Sequence, residues 1–418
     1  MISQRSPLAN ACYRRLFAAQ VIALVGTGFT TVALALLAYD LADENAGAVL
    51  GIALALKMVV YVFGAPLITA LAARLPRRRL LVALDLLRAG SVAAMPFVTQ
   101  VWHVYLLIVL INACSAGFTP TFQATIPDVL DDEPACTRAL SLSRLAYELE
   151  TLASPALAAA MLTVVGYDAL FAANGLAFLG SAALVASVRL PARRPQPAPA
   201  SWWARLTLGT RRYLATPRLR GLLALNVAVA AASAMVIVNT VVYVRDQFGR
   251  DAGDVAWALG ASGGGAMIAA LALPRLLRRI RDRGAMLAGG LLLPIGLALG
   301  AIVDDFTALL LVWLALGIGL SLVQTPSGLL VRRSGSADER PALFAAQFSL
   351  SHACWLATYP IAGVLGSTLG LSPTAWLLAA PAAAALALAA LAWPATEEQR
   401  RPMPRTTRPT RKLRTVHS

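Results

Sequence analysis

Residues that carry catalytic chemistry are scarce in this chain. Among its 418 residues there are only three histidines and four cysteines. The cysteines show no C-x-x-C spacing: Cys12, Cys114, Cys136 and Cys354. An H-E-x-x-H motif, a phosphate-binding loop and a dinucleotide fingerprint are all missing, and the G-x-S-x-G match at 260–264 falls inside an apolar run with no strand before it. The sequence therefore predicts no enzyme, no cofactor, no metal site and no disulfide framework.

Charged residues are also few for a chain of this length. They make up 14% of the sequence, against 58% apolar residues, and the mean hydropathy is +0.68. Such a chain has too little polar surface to fold in water, so it needs lipid as its solvent. Lipid offers no partner for unpaired backbone groups, which favours helices of about 20 apolar residues or more. The sequence predicts an all-α membrane protein with twelve spanning helices, at 15–39, 46–73, 80–100, 102–126, 139–165, 168–189, 219–244, 255–277, 284–303, 306–331, 341–369 and 373–393.

The basic residues are spread unevenly over the predicted connections. The net charge of +15 would point to nucleic acid in a soluble protein, but the arginines cluster on the two tails and on every second connection. The opposite loops carry acidic residues such as Asp40, Glu44 and Asp304. This positive-inside pattern predicts that both termini are cytoplasmic and that nucleic acid is no partner. Arginine outnumbers lysine 34 to 2, which together with abundant alanine favours a bacterial plasma (inner) membrane.

Proline motifs indicate that the chain is an internal repeat. Thr119-Pro120 returns as Thr325-Pro326, and Pro155 returns as Pro360. An offset of about half the chain is typical of transporters built from two related bundles that enclose a path at their interface. We predict two pseudo-symmetric six-helix bundles, a cytoplasmic linker with an interfacial helix near 201–214 and a basic disordered tail, bounded as 1–190, 191–218, 219–394 and 395–418. A plain linker without that helix is the alternative.

Twelve helices in two halves, a long central loop and a basic motif after helix 2 together resemble the major facilitator superfamily. The superfamily motif Gly-x-x-x-Asp-Arg-x-Gly-Arg-Arg is matched here by Arg74, Arg77 and Arg78, whereas its Gly, Asp and second Gly are replaced by Thr69, Ala73 and Pro76. The missing Asp puts the usual gating ion pair in doubt. We expect Asp85, with Arg88 one turn later, to replace it near the cytoplasmic face.

Two further stretches carry the resemblance towards an export branch. Ser154-Pro155-Ala156-Leu157-Ala158-Ala159 is similar to the helix 5 motif Gly-Pro-x-x-Gly-Gly of the antiporters. The segments Asp85-Leu86-Leu87-Arg88 and Ile126-Pro127-Asp128 look like those of bacterial efflux permeases of the siderophore-exporter and nickel-resistance type. The resemblance implies alternating access, a substrate site near the midplane and a monomer.

Four ionisable residues lie near the middle of predicted helices: Lys57, Glu148, Glu150 and His352. Such groups are costly in lipid and are usually paired, water-facing or functional. Glu148 and Glu150 point about 200° apart on their helix, so one of them has a structural role. We favour Glu148 as the partner of Arg144, one turn earlier, and Glu150 as the cavity-facing carboxyl on the face of Tyr147. Both remain candidates for a proton switch that Lys57 tunes.

His352 and Gln324 complete the predicted cavity. In the superfamily layout helix 11 packs near helix 2, which would bring His352 towards Lys57 as a proton carrier or metal ligand. A buried histidine bonded to a backbone carbonyl or to Tyr359 is the alternative, as is a Lys57–Glu pair that only locks helix packing. Gln324 precedes Thr325-Pro326, where the helix hydrogen-bond ladder is broken.

Three functions are consistent with these residues. The leading one is a secondary active transporter that uses protons to export a small molecule or ion. The second is export of a divalent cation such as nickel or cobalt, and the third is a membrane receptor or scaffold that does not transport. Membrane lipid and protons are the other expected partners. The sequence leaves the substrate, and the choice between export and uptake, open.

Overall fold

The computed structural model describes residues 6–42, 46–72, 75–130, 132–190 and 201–393, and the residues it describes form helices and connections without a strand. Over these ranges thirteen α-helices follow one another: α1 (Ala11–Ala42), α2 (Ala46–Leu71), α3 (Arg77–Ala93), α4 (Val101–Val129), α5 (Glu133–Leu162), α6 (Tyr167–Ala186), α7 (Trp202–Ala215), α8 (Pro217–Val242), α9 (Ala252–Leu276), α10 (Asp282–Gly300), α11 (Phe306–Arg333), α12 (Arg340–Leu369) and α13 (Leu371–Ala392). A π-helical turn, Tyr243–Gln247, extends α8.

Twelve of these helices coincide with the twelve predicted apolar runs, and α7 is the additional helix of the linker. Within the described residues, ten of the twelve are long and apolar enough, by length and composition, to cross a membrane. The two that do not reach this standard are α5 and α12, although each is 30 residues long. Their lower hydropathy has a local cause, because they carry the polar residues that the sequence places at membrane depth.

Local sequence sets where several helices begin. The carboxylates of Asp132, Asp251 and Asp305 each accept a hydrogen bond from a backbone N–H of the first turn, at 2.9–3.0 Å. Such N-caps satisfy backbone donors that have no partner within the helix. Proline stands in the first turn of α8 and of α12, at Pro217 and Pro341, where its missing N–H costs no hydrogen bond.

The helices form two groups of six. In the first half α1 packs on α5 and α6, and α3 packs on α4 and α6. In the second half α8 packs on α12 and α13, and α11 packs on α9 and α10. The contact between α9 and α11 is close enough that a Cβ atom added at Gly317 would collide with the backbone carbonyl of Ser262. Glycine is therefore required there by helix packing.

The two halves meet along a seam in which α2 packs on α12 and α5 packs on α9 and α11. Helices α2, α4, α9 and α11 end at one side of the molecule, where α3, α5, α10 and α12 begin. We call this side the basic end, after the arginines on its connections, and the other side the opposite end. Arg74, residues 191–200 of the linker and the tail 395–418 lie outside the described residues.

The linker helix predicted near 201–214 is present as α7, and it packs on protein at the basic end. The Tyr213 hydroxyl donates a hydrogen bond to Gln347 on α12, and Arg212 forms an ion pair with Glu339 at 3.3 Å. Burial raises the pKa of Tyr213 well above its ordinary value, so this hydroxyl stays a donor. Trp203 points away, with 70% of its surface exposed, as suits a helix that also faces the membrane interface.

Candidate functional site

Asp85 and Arg88, the pair expected to act as a gate, are buried inside the first half. Asp85 is fully buried; it accepts hydrogen bonds from Arg88 and, at 2.8 Å, from Ser181 on α6. The Arg88 guanidinium lies between the rings of Phe118 and Phe178, 4.2 and 4.4 Å from their centroids. All these partners belong to the same half. The geometry is that of a packing element of α3, α4 and α6, because α3 carries Asp85 about 12 Å inside the bundle.

One carboxylate that reaches the other half is Asp128, at the end of α4. It accepts hydrogen bonds from Arg77 of its own half and from Arg340 on α12, the latter at 3.1 Å. Of the described arginines of the basic motif, Arg77 takes part in an inter-half network, while Arg78 is exposed. The sequence indicated Asp128 only through the branch resemblance. The pattern that points to its role is a carboxylate at the end of a helix, opposite two arginines.

A second ion network links the halves with the charges reversed. Arg333 at the end of α11 pairs with Asp282 of its own half and with Glu133 at the start of α5. Asp282 lies 205 residues after Arg77, and Arg333 lies 205 residues after Asp128, so the two networks occupy equivalent places in the repeat. In the first network one aspartate lies between two arginines, and in the second one arginine lies between two carboxylates. We call them the two end networks; both join the halves at the basic end.

Midway along the seam, α2 and α12 bring Lys57 and His352 into one aromatic cluster. The Lys57 ammonium lies 5.7 Å from the centroid of the Tyr61 ring, and that ring meets the His352 imidazole edge-on, with 4.9 Å between centroids. Phe348 and Trp355 flank His352 at 4.1 and 4.8 Å. The His352 Nδ1 atom lies 2.7 Å from the Phe348 carbonyl oxygen, so the expected proximity to Lys57 and the alternative backbone bond are both present.

On the other side of the seam, α5 and α11 share a polar contact at similar depth. The Arg144 guanidinium forms an ion pair with Glu148, one turn later, and donates a second hydrogen bond to the Gln324 side-chain oxygen on α11. The Arg144 and Glu148 side chains are 24% and 13% exposed, so the pair is largely buried but remains within reach of water. The predicted Arg144–Glu148 pair is present, and its link to Gln324 is an addition that sequence alone did not provide.

Tyr147, another predicted residue of α5, faces the first half. Its hydroxyl hydrogen-bonds with the side chain of Gln20 on α1, and Gln20 also accepts a bond from Ser143 at 2.9 Å. Gln20 is buried and was not anticipated, because a lone glutamine in an apolar helix has no distinguishing pattern. Glu150 is half-buried and takes part in interactions of its own.

Lys57, His352 and the Arg144–Glu148 pair thus lie on the two faces where the halves meet. A half-buried cation on α2, an imidazole on α12, and an ion pair on α5 that contacts α11 can hold or release a proton and can offer charge to a solute. Because each group sits between elements of different halves, its charge affects how the halves pack. In the described part of the chain no three side chains of His, Cys, Asp or Glu lie close enough together to hold a metal ion.

The fold and the family that this chain matches define a multi-pass membrane transporter of the major facilitator superfamily. Solved structures agree in fold: the human organic anion transporter MFSD10 (TETRAN) matches with a TM-score of 0.77 at 15% identity, over 90% of this chain and 98% of that one. Residues 2–329 match the family described as transmembrane secretion effectors, and the chain belongs to that family.

Two other solved structures have the same fold. A bacterial homologue of the iron transporter ferroportin, in an outward-facing state, has a TM-score of 0.73 at 15% identity over 91% of this chain and 98% of that one. The E. coli fucose:proton symporter FucP, in the outward conformation, has a TM-score of 0.71 at 14% identity over the same shares. No curated protein matches the sequence.

Proposed function

We propose that the protein is a secondary active exporter that moves a small molecule by alternating access and takes up protons in exchange. The observation that carries this proposal is the set of ionisable groups on the seam: Lys57 and His352 on one side, Arg144 and Glu148 on the other. In a dry packing contact such groups would be a net cost, but between two bundles that rock they supply a binding site and a proton switch.

The two end networks indicate which conformation of the transport cycle the structure represents. Asp128 with Arg340, and Arg333 with Glu133, hold the halves together at the basic end. By the positive-inside rule we assign that end, and both termini, to the cytoplasm, and we propose a bacterial inner membrane as the location. We infer that this conformation is closed towards the cytoplasm, so that protons reach the seam residues from outside. Opening the cytoplasmic side requires both networks to separate.

The proton is carried by Glu148 or Glu150. A carboxyl between two bundles has its affinity for a proton raised by loss of water and lowered by a nearby cation. Glu148 lies beside such a cation, because it forms an ion pair with Arg144. A proton entering from outside neutralises the carboxyl and weakens the contacts that favour this state. Its release on the cytoplasmic side, as substrate binds, completes the exchange.

The two other functions receive less support from the described residues. A nickel or cobalt exporter needs a cluster of ligands, whereas His352 is surrounded by aromatic rings and Cys354 bonds the Leu350 carbonyl within its own helix. A receptor or scaffold has no need of charged groups on the seam. We propose a monomer, since each half finds its partner within one chain.

Export is tested with a drug-sensitive bacterial strain that expresses the protein or its Glu148→Gln, Glu150→Gln double variant. Antibiotics, siderophores, nickel and cobalt are screened for resistance, and each hit is measured in proteoliposomes with an imposed pH gradient. We expect the double variant to lose gradient-driven transport. Asp254→Asn, which removes a carboxylate from an ion pair within one half, is the matched control and should transport normally. Equal transport by wild type and double variant would contradict proton coupling.

A further inference from the structure

We propose that Arg144 is a positioning residue that transmits the protonation state of Glu148 to the second half through Gln324. The inference rests on the proposed proton coupling and deepens it by selecting Glu148 over Glu150 as the carboxyl whose charge controls the seam. It starts from one guanidinium whose two terminal nitrogens have different partners. One pairs with Glu148 on the same helix, and the other donates to Gln324 on α11.

The two bonds of Arg144 depend on each other. The guanidinium is planar and rigid, so an anchor at one terminal nitrogen fixes the direction of the other. When Glu148 is ionised, it holds Arg144 by a charge-assisted bond and aims the second nitrogen across the seam. When Glu148 is protonated, the anchor loses its charge, and the link to α11 weakens with it. The Arg144 Nε atom is buried without a hydrogen-bond partner among the described residues and provides no other anchor.

Gln324 lies where α11 is able to respond. Pro326, two residues later, has no N–H to donate, so the hydrogen-bond ladder of α11 is interrupted in this turn. The Ser327 hydroxyl donates to the Gln324 carbonyl at 2.6 Å, which further occupies the backbone there. Nine residues on, α11 ends at Arg333 of the second end network. A change in the Arg144–Gln324 bond therefore acts on a helix that can bend at Pro326 and that ends in an inter-half ion pair.

In the described residues, the helices that pack on α5 carry no aspartate, glutamate, lysine, arginine or histidine at this depth. The charged residues of α9 are Asp254 and Arg275, at its two ends, and those of α11 are Arg332 and Arg333, at the basic end. Helix α1 presents Gln20 and carries charge only near its ends, while α4 and α6 likewise have theirs at the ends. On α5 itself Glu150 points away from Glu148, and Lys57 and His352 lie on the α2–α12 side of the seam.

The direction of the effect follows from the conformation. An ionised Glu148 supports the Arg144–Gln324 link and hence the state closed at the basic end. Protonation removes that support, so acid shifts the protein towards opening at the basic end and closing at the opposite end. A proton that enters from outside would then trigger the switch that exposes the site to the cytoplasm, which is the order an exchanger requires.

The test measures conformation and needs no substrate. Spin labels at Val164→Cys and Ile302→Cys, which are 84% and 66% exposed at the opposite end of the two halves, report its opening in a variant without native cysteines. Distances are recorded between pH 5 and pH 8 in lipid nanodiscs. For the wild type we expect the short-distance population to rise about tenfold relative to the long one as the pH falls.

Three variants test the relay. Gln324→Ala and Glu148→Gln should both show the acid-like distribution at every pH, whereas Gln324→Glu, which keeps an acceptor for Arg144, should keep the pH response. Asn112→Ala is the matched control, because Asn112 bonds only the Ile108 carbonyl of its own helix, and should behave as wild type.

Each contrary outcome has a distinct meaning. A wild-type pH response that survives in Gln324→Ala overturns the relay. A response that Glu150→Gln abolishes and Glu148→Gln retains also overturns it, while leaving proton coupling intact. A wild type with no pH response overturns the relay, and if gradient-driven transport is absent as well, the proposed function fails with it.

Discussion

Replacing Asp128 by asparagine should release one end network and shift the balance between the two conformations. Asparagine keeps the size of the side chain but removes the charge that pairs with Arg340 across the seam. Both side chains of this pair are 19% exposed. Exposed ion pairs contribute about 0.2–1 kcal/mol, and removal of one partner of a buried pair costs about 3–5 kcal/mol. For this partly exposed pair we expect about 1.4 kcal/mol, which is a tenfold change in the equilibrium.

The spin-label pair at positions 164 and 302 measures this change directly. Asp128→Asn should raise the population with a short distance at the opposite end about tenfold relative to wild type at the same pH. Arg340→Gln should do the same, and the double variant should do no more than either single one, because both remove the same inter-half bond. The Arg77–Asp128 pair, which Asp128→Asn also breaks, lies within one half. By contrast, Glu133→Gln acts on the other network, so its effect should add to that of Asp128→Asn.

Two results would refute this reasoning. The first is an Asp128→Asn variant whose distances match those of Asp254→Asn, a control that removes a carboxylate from the Arg250 pair within one half. The second is full additivity of Asp128→Asn and Arg340→Gln, which would mean that the two residues act separately. Either result would show that the inter-half contact at α4 and α12 does not hold the basic end.

Two further predictions concern stability, measured by thermal unfolding in detergent. Asp85→Ala leaves the buried Arg88 charge without its partner and should lower the free energy of unfolding by about 3–5 kcal/mol. Asp85→Leu combined with Arg88→Met should recover much of that loss. Equal stability of Asp85→Ala and wild type would contradict a packing role. Gly317→Ala forces α9 and α11 apart and should lower the free energy of unfolding by about 1–3 kcal/mol or more. Gly264 has open space around it, so Gly264→Ala should be neutral or stabilising. Similar effects at both glycines would contradict the close contact between the two helices.

Sequence patterns predicted the helices well because apolar length is a local property. The run at 306–331 corresponds to α11, and the run at 46–73 corresponds to α2, with ends that differ by two residues at most. The Arg144–Glu148 pair could also be predicted from the sequence, since residues one turn apart share a face of any helix. Even the linker helix could be placed, from its mixture of aromatic and basic residues.

Contacts between distant parts of the chain could not be predicted from sequence patterns. Asp128 and Arg340 are 212 residues apart, and nothing in either helix alone indicates that they meet. Asp85 was assigned to a gate because of its distance from the basic loop, but the face of α3 that carries it turns towards Ser181 of the same half. Depth in the membrane was readable from the sequence, whereas the direction in which a side chain points was set by packing.

The most direct test of the account compares both ends of the molecule in one experiment. Labels at Val164→Cys and Ile302→Cys report the opposite end, and labels at Leu75→Cys and Ile280→Cys, on exposed residues of the α2–α3 and α9–α10 connections, report the basic end. Alternating access around the seam predicts two populations whose distances change reciprocally, so that one end widens as the other narrows. A single distance at each end, unchanged by pH and by Asp128→Asn, would contradict it.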